Sequence, residues 1–233
     1  MQIKQTQEFH LKDIILIASL PDMGKVGGIV SGYLAKKLTV KPAATLVVSD
    51  KPWVNQKDGV VELAHDEYRL LVDEINSIVI FTGENQPQEG HTVYEMSELV
   101  LATVQKMGNV KLVISSGGYL PREQGNGKKV YSVATNKKAF EMLKPYGVQI
   151  LGSEVSSITW FNGLILGHAK RQNIDGIGLF GEIRDVESPQ YEAAKNIIKI
   201  IEKFLNKKID TSDLEQKIPN VPPEPKKEGP GIG

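Results

Sequence analysis

The chain has 233 residues, no cysteine, and 28 Lys and Arg balanced by 28 Asp and Glu. The lack of cysteine excludes disulfides, thiolate metal sites and a cysteine nucleophile. Zero formal net charge removes any global pull toward nucleic acid or an anionic membrane, and no segment approaches the ~18 consecutive apolar residues of a membrane span. The opening MQIKQTQEFHLKD lacks a signal-peptide apolar stretch, so a cytoplasmic location is expected.

In chain order, "DIILIAS" (13–19) is a short β-branched run suited to a strand buried on both faces. Residues 24–38 then read as a helix, with Val26, Ile29, Val30, Tyr33, Leu34 and Leu38 at helical spacing and Lys36 and Lys37 near its C-terminal end. "ATLVVS" (44–49) is a second strand. "GVVEL" and "YRLLV", flanking a polar "AHDE", predict a hairpin with each other. "SIVIFTG" (77–83) is a strand, followed by the polar loop "ENQPQEGHT" and a helix over 93–107.

"VKLVISSGGY" (110–119) is a strand ending in Gly-Gly, and "KKVYSVAT" a further short one. Asn136 predicts the cap of a short helix ending at Leu143, because its side chain can accept free helical N–H groups. A brief strand "VQILGS", a helix over 162–172 and a last strand "GIGLFGE" (176–182) follow. Ser188-Pro189 is expected to open the final helix, which runs to Leu205. Five of the twelve prolines lie between Pro219 and Pro230, so 206–233 is expected as a Pro-rich flexible tail behind a single α/β domain spanning 1–205.

Alternating strands and helices predict a mainly parallel sheet, with some antiparallel strands, between two helical layers: a three-layer α/β/α sandwich. In such sheets ligands bind outside the carboxyl ends of the strands. Four loops leave such ends with unusual residues: "PDMGKVGG", "GENQP", "GGYLPREQGNG" and "GEIRD".

The first contains Gly24-Lys25 at a helix start. A phosphate-binding loop needs G-x-x-x-x-G-K-[ST], but Ser19 stands in the first glycine's place and Val26 in the hydroxyl's. The dinucleotide spacing G-x-G-x-x-G fails as well. Gly24, Gly27, Gly28 and Gly32 therefore read first as close-approach positions, and Lys25 as a helix-start lysine or an anion contact. In the second loop Glu84 could serve as a general base and Gln86 sits beside it. Gly117, Gly118 and Tyr119 end the central strand, Asn162 opens a helix, and Glu154 and Glu182 form a candidate carboxylate pair across strand ends. His10, His65, His91 and His168 show no ligand spacing, so no metal site is expected, nor any cofactor. No G-x-S-x-G elbow is present.

Taken in order, "PDMGKVGGIVSGYLAKKL", "GENQP" with the helix "YEMSELVL", "SSGGY", "SITWFNGLILGHAKRQNIDGIGLFGE" and "SPQYEAAKNIIKIIEKFL" resemble the archaeal and bacterial relatives of the proteasome assembly chaperones. The resemblance spans residues 11–205, with Trp160-Phe161 standing where Thr-Gly is expected. It implies a phosphorylase/hydrolase-like sandwich and a non-catalytic protein that binds proteasome α subunits, or the α-ring, as a homo-oligomer. Some relatives dock through a C-terminus ending hydrophobic–tyrosine–any residue. Here the ending is Gly231-Ile232-Gly233, a candidate docking element without the tyrosine. Oligomer contacts are expected around Tyr33, Trp53 and Trp160. The alternative is a small-molecule enzyme of phosphorylase-like or ATP-dependent carboxylate–amine ligase type, which requires Glu84, Tyr119, Glu154 and Glu182 to converge.

Overall fold

The computed structural model describes residues 1–123 and 125–219. The elements, in order, are β1 (Gln2–Gln5), β2 (Leu11–Ala18), α1 (Val26–Lys37), β3 (Lys41–Val48), β4 (Val54–Lys57), β5 (Val60–Leu63), β6 (Asp66–Asp73) and β7 (Ile78–Gly83). These are followed by α2 (Gly90–Gln105), β8 (Gly108–Tyr119), β9 (Val130–Ala134), α3 (Lys137–Glu141), β10 (Gln149–Ile150), α4 (Trp160–Arg171), β11 (Asp175–Glu182), α5 (Tyr191–Leu205) and α6 (Ser212–Glu215).

Nine strands form one sheet in the order β1-β3-β6-β7-β2-β8-β11-β9-β10. The four central strands β7, β2, β8 and β11 run parallel, and antiparallel pairs flank them on both sides. Strand alternation sends successive side chains to opposite faces. On β2, Ile14, Leu16 and Ala18 enter one core with α2 and α4, and Ile17 enters the other with α1 and α5. On β7, Val79 and Phe81 point to the first core and Ile78 and Ile80 to the second. Both faces are covered, which is why these strands read as continuous apolar runs. The expected three-layer sandwich is present.

Several local expectations change. Strand β5 pairs with β4 and not with β6; their register joins Lys57 to Val60 across a two-residue Asp58-Gly59 turn. Both turn residues have positive φ (53° and 81°), the geometry that a two-residue hairpin needs and that Asp-Gly supplies. β6 is therefore free to pair with β3 and β7. β1 has no sequence signal because all four of its residues are exposed; it is held by antiparallel backbone pairing, from Gln2 opposite Val47 to Gln5 opposite Ala44.

Asn136 caps α3 as expected, its Oδ1 accepting the Ala139 N–H at 2.8 Å. The last long helix starts at Tyr191 rather than at Ser188-Pro189, because the Ser188 N–H and hydroxyl are both taken by the Asp185 carboxylate in a tight turn. Past residue 205 the described chain continues against the second core, where Ile209 and Leu214 are buried. That segment covers Tyr33, whose hydroxyl donates to the Asp210 carbonyl at 2.8 Å, so Tyr33 is not available as an oligomer contact. Trp53 and Trp160 remain exposed. Gly231, Ile232 and Gly233 lie outside the described residues.

Candidate functional site: the carboxyl-edge cleft

The loop between β2 and α1 holds the question that its Gly-Lys pair raises. Gly24 and Lys25 both have left-handed backbones (φ 63° and 56°), a turn that ordinary residues adopt at a cost and that marks functional or tightly constrained sites. Two of its backbone donors are used within the protein. The Gly24 N–H goes to the Val186 carbonyl at 2.9 Å and the Lys25 N–H to the Asp22 carbonyl at 2.8 Å. The Gly27 N–H, in the first turn of α1, donates to Asp22 Oδ1 at 2.9 Å, and the Gly118 N–H at the end of β8 donates to Asp22 Oδ2 at 2.7 Å. A helix N-terminus attracts an anion or another acceptor; here the acceptor is the protein's own Asp22 carboxyl. This is the physical reason why the loop is no phosphate cradle.

Burial pushes the Asp22 carboxyl up to about 7, against the opposing pull of the Gly27 and Gly118 N–H groups. Its proton is held in the folded chain between the unfolded carboxylate range and neutrality. Between about pH 4 and 7 the folded state thus binds more protons than the unfolded one, so Asp22 makes stability fall as pH rises through that window and level off above it. Urea titrations at pH 5 and pH 8 should show this loss in the wild type and a flatter profile in Asp22→Asn. Equal slopes in the two proteins would contradict the raised carboxyl.

Three further features bring loop, strand and helix into contact. A Cβ on Gly27 would lie 2.5 Å from the Leu20 carbonyl oxygen and 2.7 Å from that of Ser116. Asn162, buried on α4, accepts the Leu20 N–H at 2.8 Å and donates to the Leu20 carbonyl at 2.9 Å. Ser19 Oγ bonds Ser116 Oγ and the Ser116 N–H, each at 2.8 Å, and Ser31 Oγ reaches both the Ser19 carbonyl (2.8 Å) and Thr82 Oγ1 (3.0 Å). Every member is buried and satisfied, a network that sets one backbone arrangement at the edge of the sheet.

Above it opens a cleft of about 750 Å³, within the size range of small-molecule sites. Of the residues that the sequence singles out, Gln86, Gly118, Tyr119 and Asn162 line it. Glu154 reaches it through the Tyr119 hydroxyl, which donates to Glu154 Oε1 at 3.0 Å. Gly117 and Gly118 serve close approach: a Cβ on either would stand 2.4 Å from Asp22 Oδ2 or the Met23 carbonyl oxygen respectively. Gly24 does the same against the Gln190 side chain, also at 2.4 Å.

Lys25 and Glu84 are elsewhere, on a separate shallow groove beside Arg69 and Lys36. Glu182 is buried and packs under Gly125, whereas Glu154 is exposed, so these two carboxylates sit in different settings rather than as a pair in the cleft. The convergence of Glu84, Tyr119, Glu154 and Glu182 that the enzyme reading requires reduces to the Tyr119–Glu154 contact. Sequence reasoning missed Asp22, although an acid just ahead of a glycine-rich helix start is the signal that could have found it. It also missed the apolar wall of Leu120, Leu151, Val155, Ile158 and Phe180, whose residues come from separate loops and strand ends.

The fold and site together define a three-layer α/β protein built on a mixed nine-stranded sheet, with an internally capped helix start and a largely apolar cleft at the carboxyl edge. The chain belongs to the PAC2 family, whose model matches residues 16–220. Among solved structures it is similar to Pyrococcus furiosus PbaB, described as an archaeal proteasome activator, with 27% identity over 93% of both chains and a TM-score of 0.78. It shares its fold with Pyrococcus furiosus PbaA, described as an archaeal homolog of proteasome-assembly chaperone (22% identity, 92% of this chain and 86% of that one, TM-score 0.75). The same fold occurs in the Mycobacterium tuberculosis proteasome-assembly chaperone homologue Rv2125 (18% identity, 88% and 90%, TM-score 0.66). No curated protein matches the chain. No helix among the described residues is long and apolar enough to cross a membrane.

Proposed function

We propose that this chain is a non-catalytic, chaperone-type protein that binds proteasome α subunits and works as a homo-oligomer in the cytoplasm. The observation that carries the reading is the similarity to PbaB, continuous over 93% of both chains at 27% identity. An internally satisfied Asp22 loop, in place of a phosphate cradle, supports a role that does not turn over nucleotide.

For the homo-oligomer the support is the β4–β5 hairpin. It forms its own two-stranded sheet apart from the main one, and Trp53, Val54, Val60, Val61 and Leu63 are all exposed on or beside it, Leu63 at 70%. An isolated two-stranded ribbon is marginal in water, and apolar side chains clustered on it mark a surface that another chain covers. The occupant in this reading is a second copy. The C-terminal Gly231-Ile232-Gly233 is the candidate element for docking on the α-ring.

Two measurements test the reading. The full chain, mixed with purified proteasome α subunits without nucleotide, should co-elute with them on size exclusion at low salt; separate elution overturns the assignment. Light scattering should give a multiple of the 25.7 kDa chain mass. The double variant Val61→Glu/Leu63→Glu should weaken self-association by about tenfold or more, while its monomer stability changes by only about 0.5 kcal/mol, since both positions are exposed. A monomeric wild type would remove the oligomer from the proposal.

A further inference from the structure

The cleft has a composition that the proteasome reading does not use. Among the described residues that line it there is no Lys or Arg, and the two that titrate are Asp22 and Tyr119. The Tyr119 hydroxyl is committed as a donor to Glu154, which places a second carboxylate at the rim. Asp22 lies in the lining with each oxygen accepting one backbone N–H, which leaves lone-pair capacity on both. The walls are apolar and aromatic, with Phe180 buried at the back and Trp160 at the mouth, 45% exposed. Trp160 is held at φ 59°, a left-handed conformation that is a genuine outlier for a bulky residue, in the first position of α4.

An anionic ligand finds no cation in this lining. A neutral apolar ligand offers no donor to the remaining lone pairs of the Asp22 carboxyl and leaves them desolvated beneath it. A cationic head on an apolar stem satisfies both parts: the head meets Asp22, the stem lies against the aliphatic wall, and the charge faces aromatic rings that attract it. We propose that the carboxyl-edge cleft is a binding site for an organic cation, a primary amine carried on an apolar stem, with Asp22 as its counter-ion and Trp160 and Phe180 as its aromatic walls.

The inference does not rest on the proteasome assignment, and each can fail without the other. The amine can come from a free small molecule or from the lysine of a protein partner, and the probes distinguish the two. Asp22 is bonded by the Gly27 N–H from α1 and the Gly118 N–H from β8; the Tyr119–Glu154 pair borders the same cleft, with the Arg122 charge acting on Tyr119 from outside the lining, and Lys25, close by in sequence, lies on the neighbouring groove. Ionisation of Asp22 thus controls the charge that the amine meets.

The experiment is thermal shift and calorimetry on the full chain with phenethylamine, Nα-acetyl-lysine methylamide, phenethyl alcohol and phenylpropionate. The amine should raise the melting temperature by roughly 5–10 °C at a hundredfold excess over its Kd. The alcohol should give a much smaller shift, and the carboxylate none. Affinity for the amine should weaken about tenfold from pH 8 to pH 6, as the fraction of ionised Asp22 falls. Asp22→Asn should abolish the charge preference. Trp160→Gly suits the left-handed backbone and keeps the fold, and it should weaken amine binding about two- to fivefold. A response to phenethylamine assigns the site to small amines, and a response to the lysine derivative alone assigns it to a partner's side chain; both support the cation site. Equal shifts from the amine and the alcohol, a shift from the carboxylate, pH-independent binding, or no shift from either amine overturns it.

Discussion

Replacing Gly27 by alanine should lower the stability of the chain by about 3 kcal/mol, which at this size is a drop in melting temperature of roughly 6–12 °C. The new Cβ would stand 2.5 Å from the Leu20 carbonyl oxygen, 2.7 Å from the Ser116 carbonyl oxygen and 2.8 Å from Asn162 Nδ2. Two of these three are backbone atoms, of the loop after β2 and of β8, so no rotamer change relieves the contact; the helix has to lift from the sheet. Alanine's better helix propensity returns about 1 kcal/mol at most and does not offset this. Gly32, one and a half turns along the same helix, is the control. Its Cβ would meet nothing closer than Thr82 Oγ1 at 3.9 Å, an ordinary contact. Gly32→Ala should therefore be neutral or raise the melting temperature by roughly 1–3 °C. Differential scanning calorimetry on both variants decides the matter, and similar behaviour of the two would contradict a close approach specific to Gly27.

Asn162→Ala should cost a similar amount, about 3 kcal/mol, by a different route. Asn162 supplies both partners of the Leu20 backbone, at 2.8 and 2.9 Å, and Leu20 is fully buried. Truncation orphans one buried donor and one buried acceptor, each worth about 1–3 kcal/mol of desolvation. The Ser115 hydroxyl bond to the Asn162 carbonyl survives, because it uses the backbone. Asn162→Asp sharpens the test. Its carboxyl still accepts the Leu20 N–H but sets its second oxygen against the Leu20 carbonyl unless that oxygen carries a proton. The aspartate variant should regain stability as pH falls below neutrality, whereas the alanine variant should not. Chemical denaturation of the two across pH 5–8 reads this directly. Loss of both differences would mean that the Leu20 backbone finds other partners.

Both predictions concern the stretch 19–32, whose Gly-Lys pair invites a nucleotide reading. Position-by-position comparison with the phosphate-loop pattern excludes that reading from the sequence, and the structure supplies the cause. Asp22 already holds the helix-start N–H that a phosphate would take, and Val186, brought from a distant loop, holds that of Gly24. Local patterning was sufficient for three of the four glycines: Gly24, Gly27 and Gly28 show the expected close approach, against Gln190, Leu20 and Pro21 respectively, whereas Gly32, expected to do the same, has only the ordinary Thr82 contact at 3.9 Å because that turn of the helix stands clear of the sheet.

The central strands, the long helices, the Asn136 cap and the three-layer class were legible because each depends on near neighbours in the chain: apolar runs for strands buried on both faces, a 3.6-residue period for helices, one side chain for a cap. Ordered motifs pointed to the family for the same reason, as short local signatures strung in a fixed order. Strand partnership was not legible. β5 left β6 for β4 because the Asp58-Gly59 turn closes a hairpin, and β1 joined β3 through backbone groups that carry no side-chain signal. Tyr33, apolar and evenly spaced, looked available until residues 206–219 folded over it. The cleft was the least legible part. Its walls come from loops after β2, β7 and β8, the segment before α4, and β11 itself. Gln86, Tyr119 and Asn162 entered it, while Glu84, Lys25 and Glu182 turned away. Residue type and spacing along the chain set which groups stand near a strand end; which of them face one another is a property of the twist and order of the sheet, and that only the folded chain decides.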